Sequence, residues 1–534
     1  MSRSLFFGLI LLITVMALAL RLPGLAKRPM HGDEAVNAVK IGELIEGKGY
    51  RYDPHEYHGP TLNYFSLIPA WLGGADSFVE LSEAVLRIVP VTLGLALVVL
   101  VLPLREALGQ GAVLLSAGLT ALSPAMVFYS RYFIHELILV VFTVVLIISG
   151  YRCFKSRKAG WAVLAGVSLG LMHATKETFV IAVCAIGLGV IVLLGARLKN
   201  GQRLESTTQV NWSHVVIMIV SAAVVSMVFF SSFFTHPQGI FDSITTYTTY
   251  VDRAETSVHV QPWYFYFQLL FFYQFADGPF FTEWIILLLA LTGVGVAIRG
   301  NVPFGCPAFI RFLAVFTLSM AGVYALIPYK TPWCLLGFYH GMLLLAGVGG
   351  MWLLQLGAKA VRVTAIVVLA LGSLHLGQQS YAANFQYFSD SRNPHVYGHT
   401  SVDVPVIADR IKSMVAQHEK GKATPIQVYC PNDDYWPLPW YLRGYQVEFG
   451  GIVSQTPPAP VILIQPKMEE ALMRKLYELP PPGQRELYMH LFYNTEDGTV
   501  DVMELRPSVE LVGFVSSSLF EKQMQQAAEE EAAQ

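Results

Sequence analysis

Long apolar runs, broken at intervals by short polar stretches, dominate the first 377 positions of the chain. A helix crosses a hydrocarbon core of about 30 Å with roughly 20 apolar residues. Stretches 5–22, 88–104, 111–128, 137–150, 159–173, 177–195, 214–234, 281–298, 312–327, 333–355 and 361–377 reach or approach that length. They predict about eleven membrane-spanning helices. The runs at 137–150 and 159–173 are short, so they extend through polar ends or sit off-centre. Residues 5–20 have the length of a signal-peptide core. The following RLPGLAKRP is a poor match to a cleavage site, so this segment reads as a retained first helix.

The pattern changes near residue 378. The stretch GQQSYAANFQYFSDSRNPHVYGHTS is polar and turn-rich, and alternating helix and strand signals follow it. VPVIADRIKSMVAQHEKG has apolar residues at helical spacing; TPIQVYC and APVILIQP read as short strands. LFYNTEDGTVDVMEL reads as a hairpin turning at Asp497-Gly498. The organisation expected is a transmembrane domain over 1–377 with a first exterior loop at 23–87. An exterior α/β domain over 378–520 and a polar tail over 521–534 follow. In class, this is a polytopic α-helical membrane protein with a C-terminal α/β domain.

Composition agrees and narrows the function. The 534 residues are 54% hydrophobic and only 14% charged, with mean hydropathy +0.48, too apolar for an ordinary soluble protein. A formal charge of −2 gives no nucleic-acid footprint. The absence of a P-loop removes the signature of an ATP-driven pump. Of five cysteines only Cys430 falls on the exterior side, so no disulfide framework forms in that domain. Lys and Arg concentrate in short cytoplasmic loops. Arg152, Lys155, Arg157 and Lys158 mark one such loop, and Arg197, Lys199 and Arg203 the next. Arg299, Arg311, Lys359 and Arg362 fall on the same side when spans alternate from an inside N-terminus. Residues 23–87, 129–136, 174–176, 235–280, 328–332 and the C-terminal domain then lie outside an inner or plasma membrane.

Sorted this way, the polar motifs converge on the exterior face. PMHGDEAV places His31, Asp33 and Glu34 just past the first span. YSRYFIHEL places Arg131, His135 and Glu136 at the end of the third; MHATKETF places Lys176 and Glu177 between spans; PYKTPW places Lys330. Each has a bland alternative. Acids favour a helix N-terminus, and single Arg or Lys side chains snorkel to headgroups. His135 alone reads as a packed or interfacial histidine. Together, ionisable residues at membrane depth mark function. Cations would hold a lipid-linked phosphate, while a carboxylate takes the proton of an attacking hydroxyl.

These stretches resemble the membrane-embedded glycosyltransferases of the GT-C fold. The resemblance is to the protein O-mannosyltransferase and aminoarabinose-transferase group, and within it to the subgroup labelled flippase activity-associated protein. It rests on RLPGLAKRPMHGDEAVNA, SPAMVFYSRYFIHEL, GLMHATKETF, QPWYFYFQLL and PYKTPW, and covers residues 21 to about 350. It implies an inverting transfer of a sugar from a polyprenyl-phosphate donor to a glycan, lipid or protein acceptor in the cell envelope. Asp33 then matches the catalytic carboxylate and Glu34 its partner. Arg131, Lys176 and Lys330 match donor-phosphate positions, with His31, His135, Glu136 and Glu177 in support. Relatives often have Asp where Glu136 stands. Some bind a divalent metal through such carboxylates, which makes Asp33 and Glu136 the candidate ligands here. The donor sugar and the acceptor are not legible. The same residues, read as a path, would suit a transporter or flippase component for lipid-linked sugars, although polar groups inside the spans are few. A scaffold using the aromatic YCPNDDYWPLPWYL surface is a third reading, against which stands aromatic core packing.

Overall fold

The computed structural model describes residues 1–55, 58–199, 211–256, 259–300, 302–481, 483, 485–493 and 499–533. Arg203 and the turn at Asp497-Gly498 lie outside the described residues. The chain forms two compact units: residues 1–25, 43–76 and 82–397 make the first, and residues 26–42, 77–81 and 398–534 the second.

The first unit is helical. Among the described residues, eight helices are long and apolar enough to cross a membrane: Arg3–Arg21, Glu83–Leu108, Glu136–Ser156, Phe179–Ala196, Trp212–Phe230, Pro307–Leu326, Pro332–Leu354 and Lys359–Gln386. The apolar helices Gln110–Leu122, Ala159–His173 and Trp284–Arg299 stand where the other three runs were read. At 13, 15 and 16 residues and 1.5 Å per residue, these fall short of a hydrocarbon core. Leu11, Leu12, Ile219 and Leu371 point outward, as lipid-facing positions do. Helix Leu336–Leu354 is enclosed along most of its length. Two of its contacts need glycine. A Cβ on Gly349 would stand 2.1 Å from the Leu289 carbonyl, and one on Gly293 2.1 Å from that of Leu345. Small residues let these helices approach backbone to backbone.

The second unit is an α/β domain. Strands β1 (Ile426–Tyr429), β2 (Val447–Gly450), β3 (Val461–Ile464), β4 (Tyr488–His490), β5 (Met503–Arg506) and β6 (Val509–Ser516) form one sheet. Its order is β2-β1-β3-β6-β4, with β5 also on β6. β1 runs parallel to β2 and β3, pairing Val428 with Phe449 and Leu463; β6 is antiparallel to β3, β4 and β5. β1 and β3 are buried along their full length, as central strands covered on both faces must be. Helix Asp403–Ala416 buries Val404, Ile407, Ala408, Ile411, Met414 and Val415, the stripe read from the sequence. Trp440 and Leu438 are fully buried, so part of the aromatic YCPNDDYWPLPWYL stretch is core.

The units divide the chain differently from the change in composition. The second begins at residue 398 instead of 378 and takes residues 26–42 and 77–81 from the loop read over 23–87. The polar stretch after 378 stays with the helical unit because its polar groups find buried partners there. Gln379 accepts from the Thr282 amide (3.1 Å), and Asn393 donates to the carbonyls of Ala383 and Tyr387 (2.9 and 3.0 Å).

Candidate active-site residues

The acidic pair of the first loop sits in the second unit, at the start of helix Gly32–Ile45. Glu34 accepts from the His31 amide (3.0 Å), the reach-back of a capping box. It also pairs with Arg28 (3.4 Å) and is fully buried. The His31 ring accepts from the Asp33 amide (3.1 Å), so a second helix-start donor is satisfied. Met30 fixes this start to the domain, its amide donating to the Tyr441 hydroxyl (2.8 Å) and its carbonyl accepting from Thr400. The two acids therefore differ. Glu34 serves the helix start, while the Asp33 side chain is 58% exposed, its carboxylate 3.9 Å from His31 Nδ1.

The cations of the first unit lie at helix ends. Ser123 caps helix Pro124–Tyr129 by accepting from the Met126 amide (3.2 Å), with Pro124 at its first position. Beyond this helix, Arg131 is buried and donates to the carbonyls of Arg21 (2.7 Å) and Gly24 (3.3 Å), with Phe385 under its guanidinium at 4.8 Å. Helix Glu136–Ser156 starts at Glu136, which forms a buried ion pair with Lys176 in the turn before helix Phe179–Lys199. The pair borders a cleft whose other walls are largely apolar, among them Tyr324, Trp333 and Met320.

Beside it, Glu177 accepts from His58 Nδ1 (2.9 Å) and from the Tyr52 hydroxyl (3.2 Å). The His58 ring stands 5.3 Å from that of His135, whose Nε2 donates to the Gly59 carbonyl (3.1 Å). Gly59 is glycine for a reason of space: a Cβ there would meet the Ala174 carbonyl at 2.2 Å. Burial, then the charges of His58 and Lys176, hold His135 well below the usual histidine range. Lys330 is buried, donates to the carbonyls of Gln261 (3.1 Å) and Ile327, and burial lowers its pKa.

The structure thus joins Glu136 to Lys176, and His135 to Glu177 by way of His58. Arg131 and Lys330 make the contacts described here with backbone carbonyls elsewhere. Three participants escape the sequence reading. Tyr52 and His58 lie in an irregular loop with no periodicity to single them out. Glu283 is fully buried and accepts from Ser123 (2.6 Å), the Ala125 amide (3.0 Å) and Tyr339, with His395 Nε2 at 3.7 Å. A lone carboxylate at the edge of an apolar run was the signal that marks it. Burial pushes the neighbouring His395 down to about 3. Asp33 and Glu136, the candidate metal ligands, belong to the second and the first unit respectively. Glu136 is engaged by Lys176, and among the described residues no three His, Cys, Asp or Glu side chains converge on one point.

Residues 69–237 match the family described as dolichyl-phosphate-mannose-protein mannosyltransferase, a stretch that includes Arg131, His135, Glu136, Lys176 and Glu177. By its name that family transfers sugar from a lipid phosphate, the enzyme class expected from the sequence. Among solved structures, the chain is similar to ArnT from Cupriavidus metallidurans, bound to undecaprenyl phosphate (14% identity) and in the apo state (13%). Each has a TM-score of 0.59 and covers 95% of this chain and 98% of that one. It is also similar to the archaeal oligosaccharyltransferase AglB from Archaeoglobus fulgidus, solved with an inhibitory peptide and a dolichol-phosphate. That match has 13% identity and a TM-score of 0.54, covering 97% of this chain and 77% of that one. No curated protein matches the sequence. The fold is therefore that of the GT-C glycosyltransferases, and the chain is a multi-pass membrane protein.

Proposed function

We propose that the chain transfers a sugar from a polyprenyl-phosphate donor to a hydroxyl-bearing acceptor on the exterior face of an inner or plasma membrane. The observation that carries this reading is the whole-length likeness to a structure holding undecaprenyl phosphate. The family match over the stretch with Arg131 and Lys176 supports it. Asp33 is the general base. It takes the acceptor proton as the acceptor oxygen bonds to the anomeric carbon. The bond from that carbon to the phosphate oxygen breaks, and polyprenyl phosphate leaves with the bonding pair. Arg131, Lys176 and Lys330 contact the phosphate or its surroundings. With a phosphate already on the lipid, no nucleotide needs to cross the membrane. Positioning and one base supply most of the acceleration.

The test is a transfer assay on the purified chain with a panel of polyprenyl-phosphate sugars. General-base catalysis contributes about 10²–10⁴-fold, so Asp33→Asn is expected to lower kcat by that order with donor KM little changed. Near-normal kcat at saturation removes Asp33 as the base. Facilitated passage of the donor across vesicles without any transfer removes the enzyme reading and leaves a transporter.

A further inference from the structure

Helix Gln110–Leu122 ends and helix Pro124–Tyr129 begins across the single residue Ser123, and Arg131 lies two residues beyond the second helix. A helix end leaves its last carbonyls without partners inside the helix, and a helix start does the same to its first amides. Two buried charges of opposite sign meet these groups. At the start, Glu283 accepts from the Ser123 hydroxyl and the Ala125 amide. At the end, Arg21 donates through Nη2 to the Thr120 carbonyl and through Nη1 to that of Ala121, both at 3.0 Å. A cation at the carbonyl end and a carboxylate at the amide end each complement the helix dipole.

Arg21 also reaches past the break. Its Nε donates to the Ser130 hydroxyl (3.2 Å), and its Nη1 donates to the Ala17 carbonyl as well (3.3 Å). Its own carbonyl accepts from Arg131 Nη1 (2.7 Å). Arg21 is fully buried, and its partners among the described residues are three carbonyls and one hydroxyl, with no carboxylate among them. Space here is tight. A Cβ on Gly94, in helix Glu83–Leu108, would stand 2.1 Å from Ser130 Oγ and 3.3 Å from Arg21 Nε. A charge buried at membrane depth is expensive and tends to serve function. Every group named belongs to the first unit.

We propose that Arg21 is a positioning residue for Arg131, fixing the guanidinium that meets the donor phosphate. The Arg21 side chain holds both sides of the break, at Thr120 and Ala121 before it and at Ser130 after it. The carbonyl of the same residue is thereby a stationary acceptor for Arg131, beside that of Gly24 (3.3 Å). A rigid fork of donors suits such a junction better than a flexible ammonium. The role rests on the reading of Arg131 as a donor-phosphate contact. It predicts that Arg21 matters to the donor only while Arg131 is present.

Two measurements on the purified chain decide this. The first needs no turnover: binding of undecaprenyl phosphate is titrated in detergent. Arg21→Met, which keeps the aliphatic stem without the guanidinium, should weaken it about tenfold, the size of one lost hydrogen bond to a charged group. Arg21→Lys should recover part of the loss, since it keeps the charge but not the fork. In the second, the transfer assay, donor KM should rise by about the same factor, with acceptor KM within about twofold. A purely structural role would instead lower the active fraction, and so kcat, with affinity for undecaprenyl phosphate unmoved. The Arg21→Met, Arg131→Gln double should bind no more weakly than Arg131→Gln, because residues acting as a unit are non-additive. Losses that multiply in the double, or unchanged binding in Arg21→Met, overturn the proposal. If Arg21→Met does not fold, Ser130→Ala removes the acceptor of Arg21 Nε and is read in the same way. The outcomes stay distinct. Full binding by Arg131→Gln defeats the phosphate reading of Arg131, whereas a weakened Arg131→Gln beside an unchanged Arg21→Met defeats only the role of Arg21.

Discussion

For a single lysine at the end of a membrane helix, the default is a side chain that snorkels to the headgroups. Lys176 does otherwise, burying its ammonium in an ion pair with Glu136 at the edge of an apolar cleft. Breaking a buried pair from one side leaves the other charge uncompensated, at about 3–5 kcal/mol, whereas replacing both partners with apolar groups is often neutral. Lys176→Ala should therefore lose stability and donor affinity together. The Lys176→Met, Glu136→Leu double should recover the unfolding temperature and still show a raised donor KM. Donor kinetics restored along with stability would leave Lys176 a purely structural role. Sequence alone singled out both residues, but their partnership spans 40 positions, and no periodicity encodes it. The same holds for Asp33 and Glu34. Their adjacency was legible, while the division of labour between an exposed acid and a capping acid depends on which one finds Arg28.

Apolar run length located the helices well, because in lipid the span itself must be apolar and self-satisfied in hydrogen bonds. How those helices pack was less legible. Helix Leu336–Leu354 is apolar all round, so no polar face says which side meets a neighbour. Its contacts are set by where glycines fall. Helix Trp284–Arg299 offers a comparison within one element: a Cβ on Gly293 would lie 2.1 Å from the Leu345 carbonyl, while one on Gly295 meets nothing within 4 Å. Overpacking a tight contact costs about 1–3 kcal/mol. Replacing an unconstrained helical glycine by alanine gains about 0.5–1 kcal/mol. Gly293→Ala should thus lower the unfolding temperature in detergent, and Gly295→Ala should hold or raise it. Equal shifts would show that the crossing is looser than these distances require.

For the molecule as a whole, hydropathy separated a membrane region from an α/β domain, because the two are built for different solvents. It could not assign the first loop. Residues 26–42 are polar enough for any exterior segment, and they cluster with a domain that begins more than 350 positions later. That assignment matters to function, since it places Asp33 with the C-terminal domain in the chain's own architecture. The proposed chemistry also requires that domain to face outward, which rests on the basic loops. Arg152, Lys155, Arg157 and Lys158 should lie inside the cell by the positive-inside tendency. An odd number of spans between this loop and residue 398 then puts the second unit outside. Cys430 is fully buried and cannot report its side. Single cysteines at the exposed positions Lys158 and Glu470, in a background with the five native cysteines replaced, can. A membrane-impermeant maleimide applied to intact cells with an accessible outer face should label Glu470→Cys. It should label Lys158→Cys only after permeabilisation. The reverse pattern would put Asp33 and its domain in the cytoplasm, where nucleotide sugars are at hand and a lipid-phosphate donor confers no advantage. Exterior transfer could not survive that result, whatever the fold.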